Sequence, residues 1–304
     1  MNITITGATG FIGKYLCREL IDSHQLIILT RDIGRAKSQL PYKNINLLDL
    51  ALPEIKLKEE LKNTEVFIHL AANRPKNKNS NQKIDSYLKV LQLTDKILNL
   101  LPQEKNIRII NISSKSIYGP NNILPYDETQ IPKPESLYGL SKLIGEQQID
   151  IYALKSNFSI LHLRLGQVIG WGDSQKNNVT TFLNNALNKR IQQVWGHGNG
   201  SRCYIYVKDV INAITAGIER KETGPFNMVL PKSISHLDLA KNINKIFDNN
   251  KLEFLDDKVS DTRIEEIDIA NAKKLLNWVP RYAKLETILL DMKNDYEEKN
   301  IDWI

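Results

Sequence analysis

The stretch Asn2-Ile-Thr-Ile-Thr-Gly-Ala-Thr-Gly-Phe-Ile-Gly13 decides the fold. Asn2 to Thr6 runs into β-branched residues, the material of a strand, and the glycines at 7, 10 and 13 then break it. Tyr15, Leu16, Leu20 and Ile21 follow at helical spacing, and the compact run Leu26-Ile-Ile-Leu29 suits a strand buried on both faces. The order is strand, glycine turn, helix, strand: a βαβ unit whose crossover is right-handed. A G-x-x-G-x-x-G turn lets the backbone bend tightly, approach a pyrophosphate and seat the helix on the sheet. The free N–H groups of that helix then face the phosphates. The plain alternative is three glycines at an ordinary strand–helix turn. Position after the first strand and at the opening of a helix favours the nucleotide.

Working outward, short apolar runs recur at Val66-Phe-Ile-His-Leu70 and Ile107-Arg-Ile-Ile-Asn-Ile112, with helical segments between them, one over about 84–101. Alternating strands and helices predict an α/β fold with a doubly wound parallel sheet. From about Gly170 the loops lengthen, broken by Gly-His-Gly-Asn-Gly at 196–200 and by Gly224-Pro225. The expectation is a dinucleotide-binding domain over 1–168, with part of 201–222 returning to it. A second, smaller α/β substrate lobe takes mainly 169–304.

Composition bounds the rest. The 304 residues are 41% apolar and 25% charged, which excludes a largely disordered chain. The net charge of +6 suits an anionic ligand but is too dispersed to predict a nucleic-acid partner. Cys17 and Cys203 make no disulfide framework, and the five histidines show no ligand spacing, so no metal is expected. The N-terminus does not read as a signal peptide, and no apolar run approaches the roughly 18 residues of a membrane span. A cytoplasmic protein with no membrane partner is expected.

The end of the second predicted strand bears on the cofactor. NAD enzymes usually place a carboxylate there for the ribose hydroxyls. Here Thr30 and Arg31 come first and Asp32 later. A guanidinium can stack on adenine and pair with a 2′-phosphate. NADP(H) is therefore preferred and NAD(H) kept as the alternative; Arg31 as a solvated surface arginine is the plain reading.

Two further stretches carry chemistry: Ile112-Ser-Ser-Lys-Ser-Ile-Tyr-Gly119 and Tyr138-Gly-Leu-Ser-Lys142. Tyrosine and lysine four apart on a helix share a face. The ammonium is expected to lower the Tyr138 pKa by favouring the phenolate, so that the tyrosine exchanges a proton with a substrate oxygen near neutral pH. Ser114 would hydrogen-bond the same oxygen. A second match, Tyr204-Ile-Tyr-Val-Lys208, reads instead as a strand that separates the two side chains.

With these residues in place, the chain resembles the extended short-chain dehydrogenases/reductases, in particular the nucleotide-sugar epimerase/dehydratase family. The resemblance rests on Thr6 to Gly13, Asp49-Leu50, His69-Leu-Ala-Ala72, Ser113 to Gly119, Tyr138-x-x-x-Lys142, Arg164 to Gly170 and Gly200 to Asp209. It ends at Asp268 and Leu275-Leu-Asn-Trp-Val-Pro280. It implies a Rossmann sheet and a catalytic trio of Ser114, Tyr138 and Lys142. It also implies a cofactor site of Gly7, Gly10, Phe11, Ile12, Gly13, Arg31, Asp49, Leu50, Leu70, Ala71, Ala72, Tyr138 and Lys142. Substrate contacts fall to Asn73, Ser114, Gln167 and Arg202, the last on the diphosphate of a nucleotide sugar. Helices such as 84–101 and the one from Tyr138 pair into homodimers in this family, and a homodimer is expected here.

Departures from the family pattern narrow the reaction. Lys115 and Ser116 stand where dehydratases carry an acidic pair, so 4,6-dehydration is not expected. Lys89 and Gln167 replace usual asparagines, and Cys203 replaces a common aspartate. The favoured reading is NADPH-dependent reduction of a nucleotide-linked 4-keto-6-deoxysugar. A nucleotide-sugar 4-epimerase using one bound NAD(P) is the alternative, and a non-catalytic NAD(P)-sensing binder is a third reading.

Overall fold

The computed structural model describes residues 1–74, 84–120, 122–256, 258 and 262–298. Seven parallel strands form the central sheet. In chain order they are β1 (Asn2–Thr6), β2 (Gln25–Thr30), β3 (Ile45–Asp49), β4 (Val66–His69), β5 (Ile107–Ser114), β6 (Phe158–Leu165) and the strand Gly224–Met228. Across the sheet the order is β3, β2, β1, β4, β5, β6 and then Gly224–Met228 at the far edge. Helices α1 (Phe11–Leu20), α2 (Ile33–Gln39), α3 (Glu54–Leu61), α4 (Ile84–Leu100) and α5 (Leu137–Ala153) lie on the connections from β1 to β6.

The sheet is covered on both faces because its strands are apolar on both. Ile3, Ile5, Leu26, Ile28, Ile110 and Leu161 pack into one core with α1 and the helix Val207–Glu219. Ile27, Leu29, Phe67, Ile107 and Ile109 pack into the other with Leu57 and Leu61 of α3, Ile97 of α4 and Ile149 of α5. Alternate side chains thus enter alternate cores, the pattern of a doubly wound sheet.

The chain leaves β3 at one edge and re-enters beside β1 as β4. The sequence order therefore reverses between β1 and β4, and a crevice opens at their carboxyl ends. The later part of the chain supplies short strand pairs, among them Gln167–Ile169 with Tyr204–Tyr206 and Ser201–Arg202 with Ile234–Ser235. The second Tyr-x-x-x-Lys stretch departs from expectation. Its strand stops at Tyr206, and Val207 opens a helix whose Val210, Ile211, Ile214 and Ile218 are all buried.

Candidate active site

The glycine turn builds one wall of the crevice. Gly7 has φ of +74°, and a Cβ there would stand 2.8 Å from the Ala71 amide nitrogen, so only glycine lets the end of β1 lie against the end of β4. At Gly13 a Cβ would come within 2.4 Å of the Gly7 carbonyl oxygen, which fixes how closely α1 seats on the turn. The N-cap of α1 is Gly10, which offers no side chain, so its first amides stay available to an anion.

A groove of about 490 Å³ runs from this turn across the ends of β2 and β4. Gly7, Gly10, Arg31, Leu50, Leu70, Ala71, Ala72 and Asn73 line it. Of the other residues expected at the cofactor, Phe11 and Ile12 pack against the core and Gly13 is buried under the turn. The Asp49 carboxylate accepts the Ala51 N–H at 2.8 Å and borders a separate depression. Three cations ring the groove: Arg31, Arg35 and Lys89. Arg35 was not singled out from sequence, although Asp32 followed three residues on is an N-cap pattern. The Asp32 carboxylate accepts the Arg35 N–H at 2.9 Å, which commits it to α2. A glycine cradle, open helix amides and a cationic rim fit the phosphates of a dinucleotide.

The trio converges where β5 ends. Ser114 is the last residue of β5, and its hydroxyl accepts the Ser116 N–H at 3.2 Å. Tyr138 sits in the first turn of α5, hydrogen-bonded to the Ser114 side chain. Lys142, one turn further on, donates to the Ile112 carbonyl at 2.6 Å. Tyr138 and Lys142 share a small cavity with Asn73, His69 and Asn111.

Electrostatics there differ from the sequence expectation. Burial holds Tyr138 above its ordinary pKa, against the downward pulls of the Arg74 charge and the Ser114 hydrogen bond. The expected lowering is overturned because burial of the phenol outweighs the downward pulls on it; the Lys142 ammonium itself donates to the Ile112 carbonyl. Lys142 itself is pushed down to about 8, mainly by burial and further by Arg74, while Glu146 one turn on opposes the shift. Glu146 is held in a buried pair with Arg164 at 2.7 Å, and Arg164 also donates to the Tyr118 hydroxyl at 3.0 Å.

Two more residues bear on the site without having been given a role from the sequence. Arg74 pairs with Asp173 at 3.2 Å and 3.4 Å, joining the loop after β4 to the later part of the chain. His69 lies between two threonine hydroxyls, Thr6 at 2.9 Å from Nδ1 and Thr94 at 3.1 Å from Nε2. Thr94 gives its proton to the Val90 carbonyl at 2.9 Å, so Nε2 must donate to Thr94 and Nδ1 must accept from Thr6. Burial and the Lys142 charge push His69 down to about 3, so the ring stays neutral.

Arg202 occupies the short strand Ser201–Arg202. It donates to the Ser201 carbonyl at 2.8 Å, and its Nε lies 3.6 Å from Glu265. Glu265 also accepts the Cys203 N–H at 3.0 Å and pairs with Lys115. Gln167 stands opposite Tyr204 in the adjacent strand pair. Glu265 has no motif around it, and nothing in the sequence pointed to it.

A Rossmann-type sheet with a glycine cradle and a Ser–Tyr–Lys cluster defines a dinucleotide-dependent enzyme of the short-chain dehydrogenase/reductase kind. The model of the NAD dependent epimerase/dehydratase family matches residues 3–229, and the chain belongs to that family. It is 31% identical over 221 residues to a Methanocaldococcus jannaschii protein provisionally named UDP-glucose 4-epimerase, covering 69% of this chain and 71% of that one. It is 27% identical over 304 residues to the Escherichia coli dTDP-4-dehydro-6-deoxyglucose reductase, covering 95% and 94%. Among solved structures, a Bacillus cereus UDP-glucuronic acid 4-epimerase in complex with UDP-glucuronic acid and NAD superposes with TM-score 0.80. It is 24% identical, with 99% of this chain and 100% of that one covered, and carries the fold alone. Among the described residues no group of His, Cys, Asp and Glu gathers that could hold a metal, and no helix is long and apolar enough to cross a membrane.

Proposed function

We propose that this protein reduces a nucleotide-linked 4-keto-6-deoxysugar with NADPH. The observation that carries the reading is Tyr138, hydrogen-bonded to Ser114 and one helical turn from Lys142, in a cavity that shares Ala71, Ala72 and Asn73 with the groove ringed by Arg31, Arg35 and Lys89. A bound nicotinamide would supply the hydride. Tyr138, kept protonated by burial, gives its proton to the C4 oxygen, and Ser114 polarises that carbonyl by hydrogen bonding. Lys142 orients the cofactor ribose. Arg202 holds the diphosphate with Gln167 and Asn73 beside the substrate, and Arg31 with Arg35 takes the 2′-phosphate.

A 4-epimerase reading has its own support, since a relative named for that activity is the more identical one. The two are separated by incubating the protein with dTDP-, CDP-, GDP- and UDP-4-keto-6-deoxysugars and NADPH while following absorbance. Net NADPH loss is expected. Sugar interconversion without it would replace the reductase by an epimerase, faster use of NADH would overturn the cofactor assignment, and cofactor binding without any turnover would leave an NAD(P)-sensing binder. We also propose a homodimer. Ile84 and Leu88 of α4 and Leu140 and Ile144 of α5 are 53%, 43%, 39% and 39% exposed on two helices packed side by side. A monomeric mass by light scattering at micromolar concentration would count against it.

A further inference from the structure

The residue after the catalytic serine is a lysine, and its ammonium is taken up by Glu265. Lys115 and Glu265 are both largely enclosed, with 16% and 20% of their side chains exposed. Glu265 is anchored further by the Cys203 N–H at 3.0 Å and by Arg202 at 3.6 Å. The residue after Arg202 is the uncharged Cys203, and the carboxylate beside Arg202 comes from a distant segment. The pair faces a pocket of about 420 Å³ whose walls include Ser116, Ser136 and Arg263. Ser116 follows Ser114 by two residues, and Ser136 caps α5 two residues before Tyr138. Arg202 contacts Glu265 and Ser114 precedes Lys115, so a ligand held at Arg202 and reacting at Ser114 and Tyr138 would pass this pair with its sugar.

We propose that the Lys115–Glu265 pair selects neutral sugars against uronates; the inference rests on the nucleotide-sugar reading above. A hydroxyl can accept from the ammonium and donate to the carboxylate at once. A uronate carboxylate cannot. It meets Glu265 as a like charge in a confined pocket, and it reaches Lys115 only by displacing a carboxylate that two other donors hold. Relatives that act on neutral and on acidic sugars share this fold, so the choice must lie in side chains of this sort.

Calorimetry on the full chain with UDP-glucose and UDP-glucuronate tests the proposal. The wild type should bind UDP-glucose at least about ten-fold more tightly, and Glu265→Gln, which frees the ammonium while keeping the shape, should move the ratio toward UDP-glucuronate by about ten-fold or more. A merely structural glutamate would weaken both ligands alike. Lys115→Met removes the cation and leaves the carboxylate, so it should widen the preference for UDP-glucose, and it decides the matter if Glu265→Gln does not fold. The proposal is overturned if the wild type prefers UDP-glucuronate, if Glu265→Gln leaves the ratio unchanged, or if Lys115→Met narrows it. If neither UDP-sugar binds, the same glucose and glucuronate pair is presented on dTDP, CDP and GDP, and failure of all four nucleotides to bind the wild type would overturn the nucleotide-sugar reading and this inference with it.

Discussion

The chain contains two Tyr-x-x-x-Lys stretches, and the structure treats them in opposite ways. Tyr138 and Lys142 lie on successive turns of α5, where residues four apart are neighbours, and they line one cavity. Tyr204 opens a short strand and Lys208 lies in the first turn of the next helix, so the same spacing sends the two side chains apart. The lysines diverge as well. Burial drops Lys142 to about 8. Burial would also lower Lys208, but hydrogen bonds to Asp291 at 2.6 Å and an ion pair with Asp295 at 2.8 Å outweigh it and raise the pKa. A spacing carries chemistry only where the backbone is helical and the surroundings leave the side chains unspent.

The sharpest way to break this contrast is to remove the hydroxyl of the first pair. Tyr138→Phe deletes only the transferable proton, so kcat should fall by about 10²- to 10⁴-fold while cofactor affinity measured by fluorescence titration stays nearly constant. Normal turnover in that variant would take proton transfer away from Tyr138.

What the sequence made legible was the part set by local rules. The strand Asn2–Thr6, the turn at Gly7 and the helix from Phe11 follow from β-branching, a positive φ and helical spacing within a few residues. Ser114, Tyr138 and Lys142 were readable as a group because the Tyr-x-x-x-Lys spacing precedes a helix and the resemblance to the extended short-chain dehydrogenases joins Ser114 to it. The direction of the Tyr138 shift was not readable, since it depends on how much protein covers the phenol once the chain has folded. Glu265 was invisible for a related reason. It meets Lys115 from 150 residues away, through a segment with no periodicity to mark it. Arg35 lay between, its position in the groove following from the Asp32 cap once α2 is known.

The lysines offer the next test, on stability. Lys208→Met strips the ammonium from Asp291 and Asp295, whose side chains are 25% and 10% exposed, and loosens the helix Leu285–Glu297 that carries both. A loss of about 1–3 kcal/mol in unfolding free energy, measured by urea titration at pH 7, is expected, between the values for exposed and fully buried pairs. Lys142→Met should abolish activity without that loss, because it removes a charge that burial disfavours. Equal destabilisation by the two substitutions would erase the distinction between a spent lysine and a catalytic one.

The pH dependence of stability sharpens the same pair. Lys142 titrates at about 8 in the folded protein against an ordinary 10.5, so between those values the unfolded chain binds a proton that the native state lacks. This contribution is present above 10.5 and is lost as pH falls through about 8. Its slope is up to about 1.4 kcal/mol per pH unit. Lys208 has the opposite sign: its contribution holds below 10.5 and is lost as pH rises through its elevated folded pKa. Relative to Lys142→Met, the cofactor-free wild type should therefore gain stability from pH 8 to 10. Parallel curves for the two proteins across that range would show that Lys142 titrates elsewhere.

The smallest expected effect belongs to the tyrosine of the second pair. Tyr204 is fully buried, its hydroxyl finds no hydrogen-bond partner among the described residues, and burial drives its phenol well above the ordinary range. An unsatisfied buried hydroxyl costs about 1–3 kcal/mol, so deleting it removes a penalty. The ring keeps filling its place, and the void left by one oxygen is small, which offsets part of the gain. Tyr204→Phe should accordingly leave kcat unchanged and hold or raise the melting temperature, at roughly 2–4 °C per kcal/mol for a protein near this size. A fall of more than about 4 °C would mean that the hydroxyl has a partner, such as a buried water, and that this tyrosine is as fully employed in the fold as Lys208. The contrast would then rest on what each pair is employed for, and not on whether the second is employed at all.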